Sequence, residues 1–283
     1  VVRRRYLKKL FKKTGRNVIV YYSGWLQKPD LANKGVMGFE LNDADKNGFM
    51  AAIHGLERNL GLDLILHTPG GDIAATESLV DYLRQMFDMN IRAIVPQLAM
   101  SAGTMIALAC KSIVMGKHSS LGPIDPQLGG LPAHGIIEEA DNAIAEVTQN
   151  PATAPLYQML FASYGATTLG EAQKAIDWSE KMVKTWLATG MFDQDPDQTT
   201  KIDAIMLELG SHARTLSHAR HISMAAAKSM GLQIETLEKD PKLQEAVLSV
   251  HHACVQTLSA TPAIKIIENH KGTAYIDVRF PVP

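Results

Sequence analysis

The chain has 283 residues, 46% hydrophobic and 20% charged, which is enough to bury a large core and too apolar for a disordered or collagen-like protein. Its formal charge of −1 conceals an uneven distribution: Arg3, Arg4, Arg5, Lys8, Lys9, Lys12, Lys13 and Arg16 are eight cations in the first sixteen residues, with no acid among them, which leaves 20 cations against 29 acids, a net −9, in the rest. An acidic body argues against nucleic acid as a partner, and the basic arm is expected to contact an anionic membrane, to stand as a solvated helix, or to make an oligomer contact onto the acidic body. Cys110 and Cys254 are too few for a disulfide framework or a zinc site, and they point to a reducing, cytoplasmic compartment, with membrane association through the arm as an addition. The chain begins at Val1, so a preceding signal or membrane segment is left open.

Asn17–Ser23 (NVIVYYS) is predicted as a strand, and Leu41 to about Leu60 as a helix capped by Asn42 and Asp43. Leu62–His67 is a strand, Thr68–Asp72 a turn, Ala74–Phe87 an amphipathic helix, Ile91–Val95 a strand, Ser101–Ala109 a helix and Ser112–Met115 a strand. Ala93–Cys110 is eighteen residues without a charge, about the minimum for a membrane span. Pro96, Gln97, Ser101, Gly103 and Thr104 divide it into strand, turn and buried helix instead. The β-α-β-α-β series predicts a parallel sheet with right-handed crossovers and a site at the strand C-termini.

Gly116–Pro132 reads as loop, and Ile136 to about Leu209 as helical, with breaks at Pro151, Pro155, Gly165 and Gly190–Pro196. A helix near Ser223–Met230, a strand near Leu232–Leu237, a helix near Lys242–Ser259 and a hairpin of Ala263–Glu268 with Ala274–Phe280, turning at Gly272, complete the chain. The expected organisation is a basic arm (1–16), an α/β core (17–135), a helical region (136–210) and a mixed segment (211–283) that completes the same domain.

Two turns carry the candidate chemistry. Gly70 and Gly71 follow a strand and precede a helix, where backbone without a Cβ can approach a ligand and present bare N–H groups. A tight βα turn is the bland alternative, and no phosphate-loop or dinucleotide fingerprint accompanies the pair. Ser101 lies between a strand and an otherwise apolar helix, where a hydroxyl is either a nucleophile or simply an N-cap. Because the turns belong to successive βα units, the N–H groups of Gly71 and Ala102 are expected to converge beside the Ser101 hydroxyl as an oxyanion hole, with Gly70 in the same loop.

His67-Thr-Pro-Gly-Gly71, Ala99-Met-Ser-Ala-Gly103-Thr and Met115-Gly-Lys-His-Ser-Ser-Leu-Gly-Pro-Ile-Asp-Pro-Gln127 together resemble the serine dehydrogenase proteinase family of the Clp protease/crotonase superfamily. Thr261-Pro-Ala-Ile-Lys-Ile-Ile-Glu-Asn-His270 is similar to that family too, so the likeness runs from about Asn17 to Gly272. It implies a Clp/crotonase-like α/β fold with an added helical region, and a cofactor-free serine peptidase with Ser101 as nucleophile and Gly71 and Ala102 as oxyanion donors. It also implies a peptide or protein substrate and a homo-oligomer, trimer-based or ring.

The general base departs from the family's patterns. Relatives use a histidine, as the Clp proteolytic subunit does, or a lysine, as signal peptide peptidase A does; Asp125 aligns with the Clp-type histidine, and Asp125–Gln173 contains no lysine. Lys174 is the leading candidate, with His118 and Lys117 as rivals. His212, His218 and His221, and the pair His251-His252, lack metal-site spacing, so no metal is expected, and the first group is assigned a structural or substrate-cleft role. Trp178 and Trp186 are expected to pack one face of a helix. Two other readings keep the fold: a crotonase-like acyl-CoA-binding protein and a non-catalytic oligomeric scaffold.

Overall fold

The structure, a computed structural model, describes residues 2–210 and 217–279. Its centre is a seven-stranded sheet whose strands we number β1 (Asn17–Ser23), β2 (Leu62–His67), β3 (Ile91–Val95), β4 (Ser112–Met115), β5 (Ile234–Thr236), β6 (Ala263–Asn269) and β7 (Ala274–Val278), in the order β5-β4-β3-β2-β1-β6-β7. The first five run parallel, and β6 and β7 add an antiparallel edge. Both faces are covered, which is why β1 and β2 read as unbroken apolar runs rather than alternating ones. Ile19 and Tyr21 face the larger core with helices Ala44–Ile53, Ile73–Phe87 and Ala102–Leu108, while Val18, Val20 and Tyr22 face a second core under helix Pro241–Ala260.

The basic arm is a helix, Val2–Thr14, laid on Pro241–Ala260 with Leu7 and Leu10 fully buried. Each of those leucines contributes about 1.5–3 kcal/mol of burial. Arg3 and Arg4 both bond Glu268, and Lys9 reaches Glu245 (2.6 Å), Lys13 Asp240 (2.7 Å) and Arg16 Asp63 (2.8 Å). The Phe11 ring stacks on His270 at 4.1 Å. Five of the eight cations are thus spent on the acidic body.

The helix expected over Leu41–Leu60 is shorter, Ala44–Ile53, followed by a 3-10 turn at Arg58–Leu60. Leu41 is withdrawn from it because it bridges Gly71, and Gly55, at φ +72°, ends the run. The Gly116–Pro132 loop contains three two-residue strands, one of which, Ser120–Leu121, pairs with Leu98–Ala99 and Ile222–Ser223 in a small separate sheet. Ser223 caps the next helix, Met224–Ser229, by accepting from the Ala226 N–H (3.2 Å). The last predicted strand is described only to Val278; Phe280 lies outside the described residues. The helical region leaves Ile144, Leu156, Met159, Leu160 and Leu169 exposed. Among the described residues no helix is long and apolar enough to cross a membrane.

Candidate active site

β2 and β3 pair in parallel, Ile65 opposite Ile94, so the segments that leave their C-terminal ends run side by side. The Thr68 N–H donates to the Leu98 carbonyl (3.1 Å), and the Met100 N–H to the Thr68 carbonyl (3.0 Å). On the opposite side of the glycine loop the Leu41 N–H donates to the Gly70 carbonyl (2.7 Å), and the Leu41 carbonyl accepts from the Asp72 N–H (2.9 Å). In a trans peptide the C=O and the following N–H point in opposite directions. With the Gly70 carbonyl aimed at Leu41, the Gly71 N–H is therefore turned away from it, and Gly71 and Ser101 line one cavity. Ala102 opens the helix Ala102–Leu108, so its N–H has no acceptor within that helix.

Ser101 holds φ +48° and ψ −116°, a backbone conformation that disfavours any side chain by about 1–3 kcal/mol. Its side chain makes no capping hydrogen bond. The N-cap alternative is therefore not what this residue does in the structure. Gly70 is required beside it, since a Cβ there would lie 2.6 Å from the Ser101 Cβ. Gly103 is required for a related reason, its added Cβ falling 2.4 Å from the Thr68 Cγ2. The Thr104 hydroxyl donates to the Ala99 carbonyl (2.7 Å) and accepts from the Gly122 N–H (2.9 Å), locking the segment that leads to Asp125 beneath the helix start.

Two cavities share Gln127 at their border, and Ser101 lines the smaller of them. One, about 250 Å³, is bordered by Gly71, Ser101, Met105, Asp125, Gln127 and Trp178. The other, about 670 Å³, is bordered by Trp25, Pro69, Met100, Gln127, His218 and His221. Pro69 and Gly71, and Met100 and Ser101, stand on opposite sides of the same partition, and Gln127 borders both spaces.

Asp125 is buried and accepts from Gln127 (3.2 Å), and its Oδ1 lies 2.9 Å from His218 Nδ1. Residue 218 thus belongs to the cleft side of the two roles expected for it. His212 lies outside the described residues. Lys174 is exposed on helix Thr168–Ala188; Ala175 and Trp178 of that helix border the Ser101 cavity. Lys117 and His118 are exposed as well, the Lys117 N–H donating to Glu238 (2.8 Å) and His118 sharing the electrostatic surroundings of Glu238 and His251. Trp178 corrects the expectation of a shared helical face: Trp186 is in the core, but Trp178 is turned into the cavity wall. Eight residues advance a helix by about 12 Å with only about 80° of net rotation, so Trp178 lies two turns nearer the helix start, beyond the core that buries Trp186. Among the described residues no three His, Cys, Asp or Glu side chains converge as a metal site would require.

Behind the glycine loop, His67 is fully buried, with the Trp25 ring 4.5 Å away, Tyr22 at 5.2 Å and His251 edge-on at 5.6 Å. Burial first, then the neighbouring His251, pushes its pKa down to about 3. Burial likewise takes His251 to about 4, and its Nδ1 lies 3.1 Å from the Tyr22 hydroxyl. These imidazoles are neutral packing groups at pH 7.

The sequence profile of the ClpP-like, SDH-type serine proteinases matches residues 1–268. The chain belongs to that family. Two uncharacterized proteins of Methanocaldococcus jannaschii are each 30% identical to it over 192 residues, which is 68% of this chain and 59% and 58% of theirs. The matched stretch thus spans less than two thirds of either relative.

For a ClpP-like serine proteinase the fold agrees with expectation, an α/β unit with a mostly parallel sheet. Missing from the sequence reading was the Asp125–His218 contact. The two residues are 93 positions apart, and no local spacing signals the pair. The one sequence clue was that Asp125 aligns where a Clp-type histidine is expected, which leaves a carboxylate in need of an imidazole.

Proposed function

We propose that this ClpP-like proteinase hydrolyses peptide bonds through an acyl-enzyme on Ser101. The observation that carries the reading is the strained, uncapped Ser101 at a helix start, packed on Gly70 and opening into a cleft with Gly71. In the acylation step the Ser101 proton passes to a base as Oγ bonds to the substrate carbonyl carbon. The carbonyl oxygen takes up the electron pair and is held by the Gly71 and Ala102 N–H groups. Collapse breaks the C–N bond, the amine leaves with the proton, and water releases the acyl group by the same steps.

For the base we favour His218 held by Asp125, because an imidazole accepts a proton at neutral pH without the desolvation an amine needs. Lys174 is the competing reading, supported by its place one turn before the cavity-wall residue Trp178. His118 and Lys117 border neither cavity and are not favoured. A fluorophosphonate probe should label wild type at Ser101 and leave Ser101→Ala unlabelled; no labelling of folded wild type refutes the nucleophile. His218→Asn should then lower labelling and peptide turnover by about 100-fold or more while Lys174→Ala leaves both within a few fold. The reverse order assigns the base to Lys174.

A further inference from the structure

Lys265 and Asp45 are among the most deeply buried charged side chains of the molecule, at 1% and 2% exposure. The Lys265 ammonium donates to both Asp45 carboxylate oxygens and to the Glu40 carbonyl, each at 2.8 Å. The Tyr21 hydroxyl donates to Asp45 Oδ2 at 2.9 Å, and the Asn42 N–H donates to the same oxygen at 3.1 Å. A buried ion pair is weak evidence for stability, because apolar groups of similar volume serve as well or better. What apolar groups do not provide is a donor for the Glu40 carbonyl. The Glu40 carbonyl also accepts from Asn42 Nδ2 (3.1 Å), a contact within the segment itself; the pair adds one side-chain contact from outside it on each side of Leu41, and Leu41 is the residue whose N–H and carbonyl clasp Gly70 and Asp72.

We infer that the Tyr21–Asp45–Lys265 network is a positioning device for the oxyanion loop, setting the Glu40–Asn42 backbone at the height that aims the Gly71 N–H into the Ser101 cavity. The inference rests on the reading of Gly71 as an oxyanion donor. Lys265, Asp45 and Tyr21 are positioning residues, since none of them borders the cavity. The network also ties β1, β6 and the helix Ala44–Ile53 to one point, so the loop is referenced to the rigid sheet rather than to its own flanks.

The test is Lys265→Met with Asp45→Asn, which removes both charges, nearly keeps the volumes and retains an acceptor for Tyr21. Amide hydrogen exchange at Leu41 and Asp72 should accelerate by about tenfold or more, with the sheet amides of β2 and β3 unchanged. Peptide kcat should fall by about 10- to 100-fold with KM within about threefold, because the donor is misplaced only where charge develops. If the double variant does not fold, Lys265→Met alone carries the same readings, since it removes the donor to the Glu40 carbonyl while Asp45 keeps the Tyr21 and Asn42 hydrogen bonds. Unchanged exchange at Leu41 and Asp72 in a folded variant overturns the inference, as does a uniform rise in exchange across the sheet, which marks a merely structural role. Wild type that neither turns over peptide nor labels at Ser101 refutes the proposed function instead, and the exchange data still decide the network.

Discussion

Gly71→Ala isolates the backbone argument for the oxyanion loop. A Cβ built on Gly71 lies 2.3 Å from both the nitrogen and the carbonyl oxygen of Leu41 and 2.7 Å from its Cα, more than 1 Å inside ordinary contact. All three atoms are backbone, so no side-chain rotation relieves the clash. The two strands must part, and the hydrogen bonds from Leu41 to Gly70 (2.7 Å) and from Asp72 to Leu41 (2.9 Å) go with them. Two such bonds are worth about 0.5–1.5 kcal/mol each, and overpacking adds about 1–3 kcal/mol, so the variant should be about 2–6 kcal/mol less stable. Separation also swings the Gly71 N–H, which shares its peptide plane with the Gly70 carbonyl. Loss of one oxyanion donor lowers turnover by about 100- to 1,000-fold. Denaturant unfolding gives the first figure, and peptide turnover normalised to folded protein gives the second. Gly55→Ala is the control, with open space around its Cβ and φ +72°: it should lose about 1–2 kcal/mol and no activity. Folded Gly71→Ala that turns over substrate within threefold of wild type refutes the assignment of that N–H, whatever its stability.

Two further outcomes follow from the same geometry. Ser101→Gly removes the hydroxyl and the backbone strain together, so it should abolish labelling yet raise stability by about 0.5–2 kcal/mol; a loss of stability would mean that the φ of +48° is not a strained one. His67 and His251 bind protons less readily folded (about 3 and about 4) than unfolded (near 6.5), so stability is full above pH 6.5 and falls as the pH drops toward 4. The slope should approach about 1.4 kcal/mol per pH unit for each histidine, and His67→Phe should remove about half of it; an unchanged slope in urea titrations at pH 6 to 4.5 would place the charge elsewhere.

What was legible from sequence in this chain was whatever is specified by neighbours a few residues apart. The apolar runs NVIVYYS and LDLILH announce strands buried on both faces, the Pro-Gly-Gly turn announces a loop that backbone can approach, and Ser101 stands between strand and helix; each lies where the structure puts it. Even there the sequence left Ser101 divided between cap and nucleophile, because the distinguishing fact is a torsion angle and an unmade hydrogen bond.

The unread part consists of contacts closed across long loops, which no periodicity encodes. Leu41 looked like the start of a helix because Asn42 and Asp43 follow it as caps, but Gly70 and Asp72, on either side of its bridge partner Gly71, offer it two backbone hydrogen bonds that a helix end does not. Lys265 and Asp45, 220 positions apart, are singled out by no local pattern, yet together they meet in the core. The basic arm could not be assigned its contacts for the same reason, since its acidic partners Asp240, Glu245 and Glu268 are near the other end of the chain. In the first two cases the distant partner bears on the backbone around Gly71, so the proposed chemistry of this fold depends most on the contacts that a linear reading sees least.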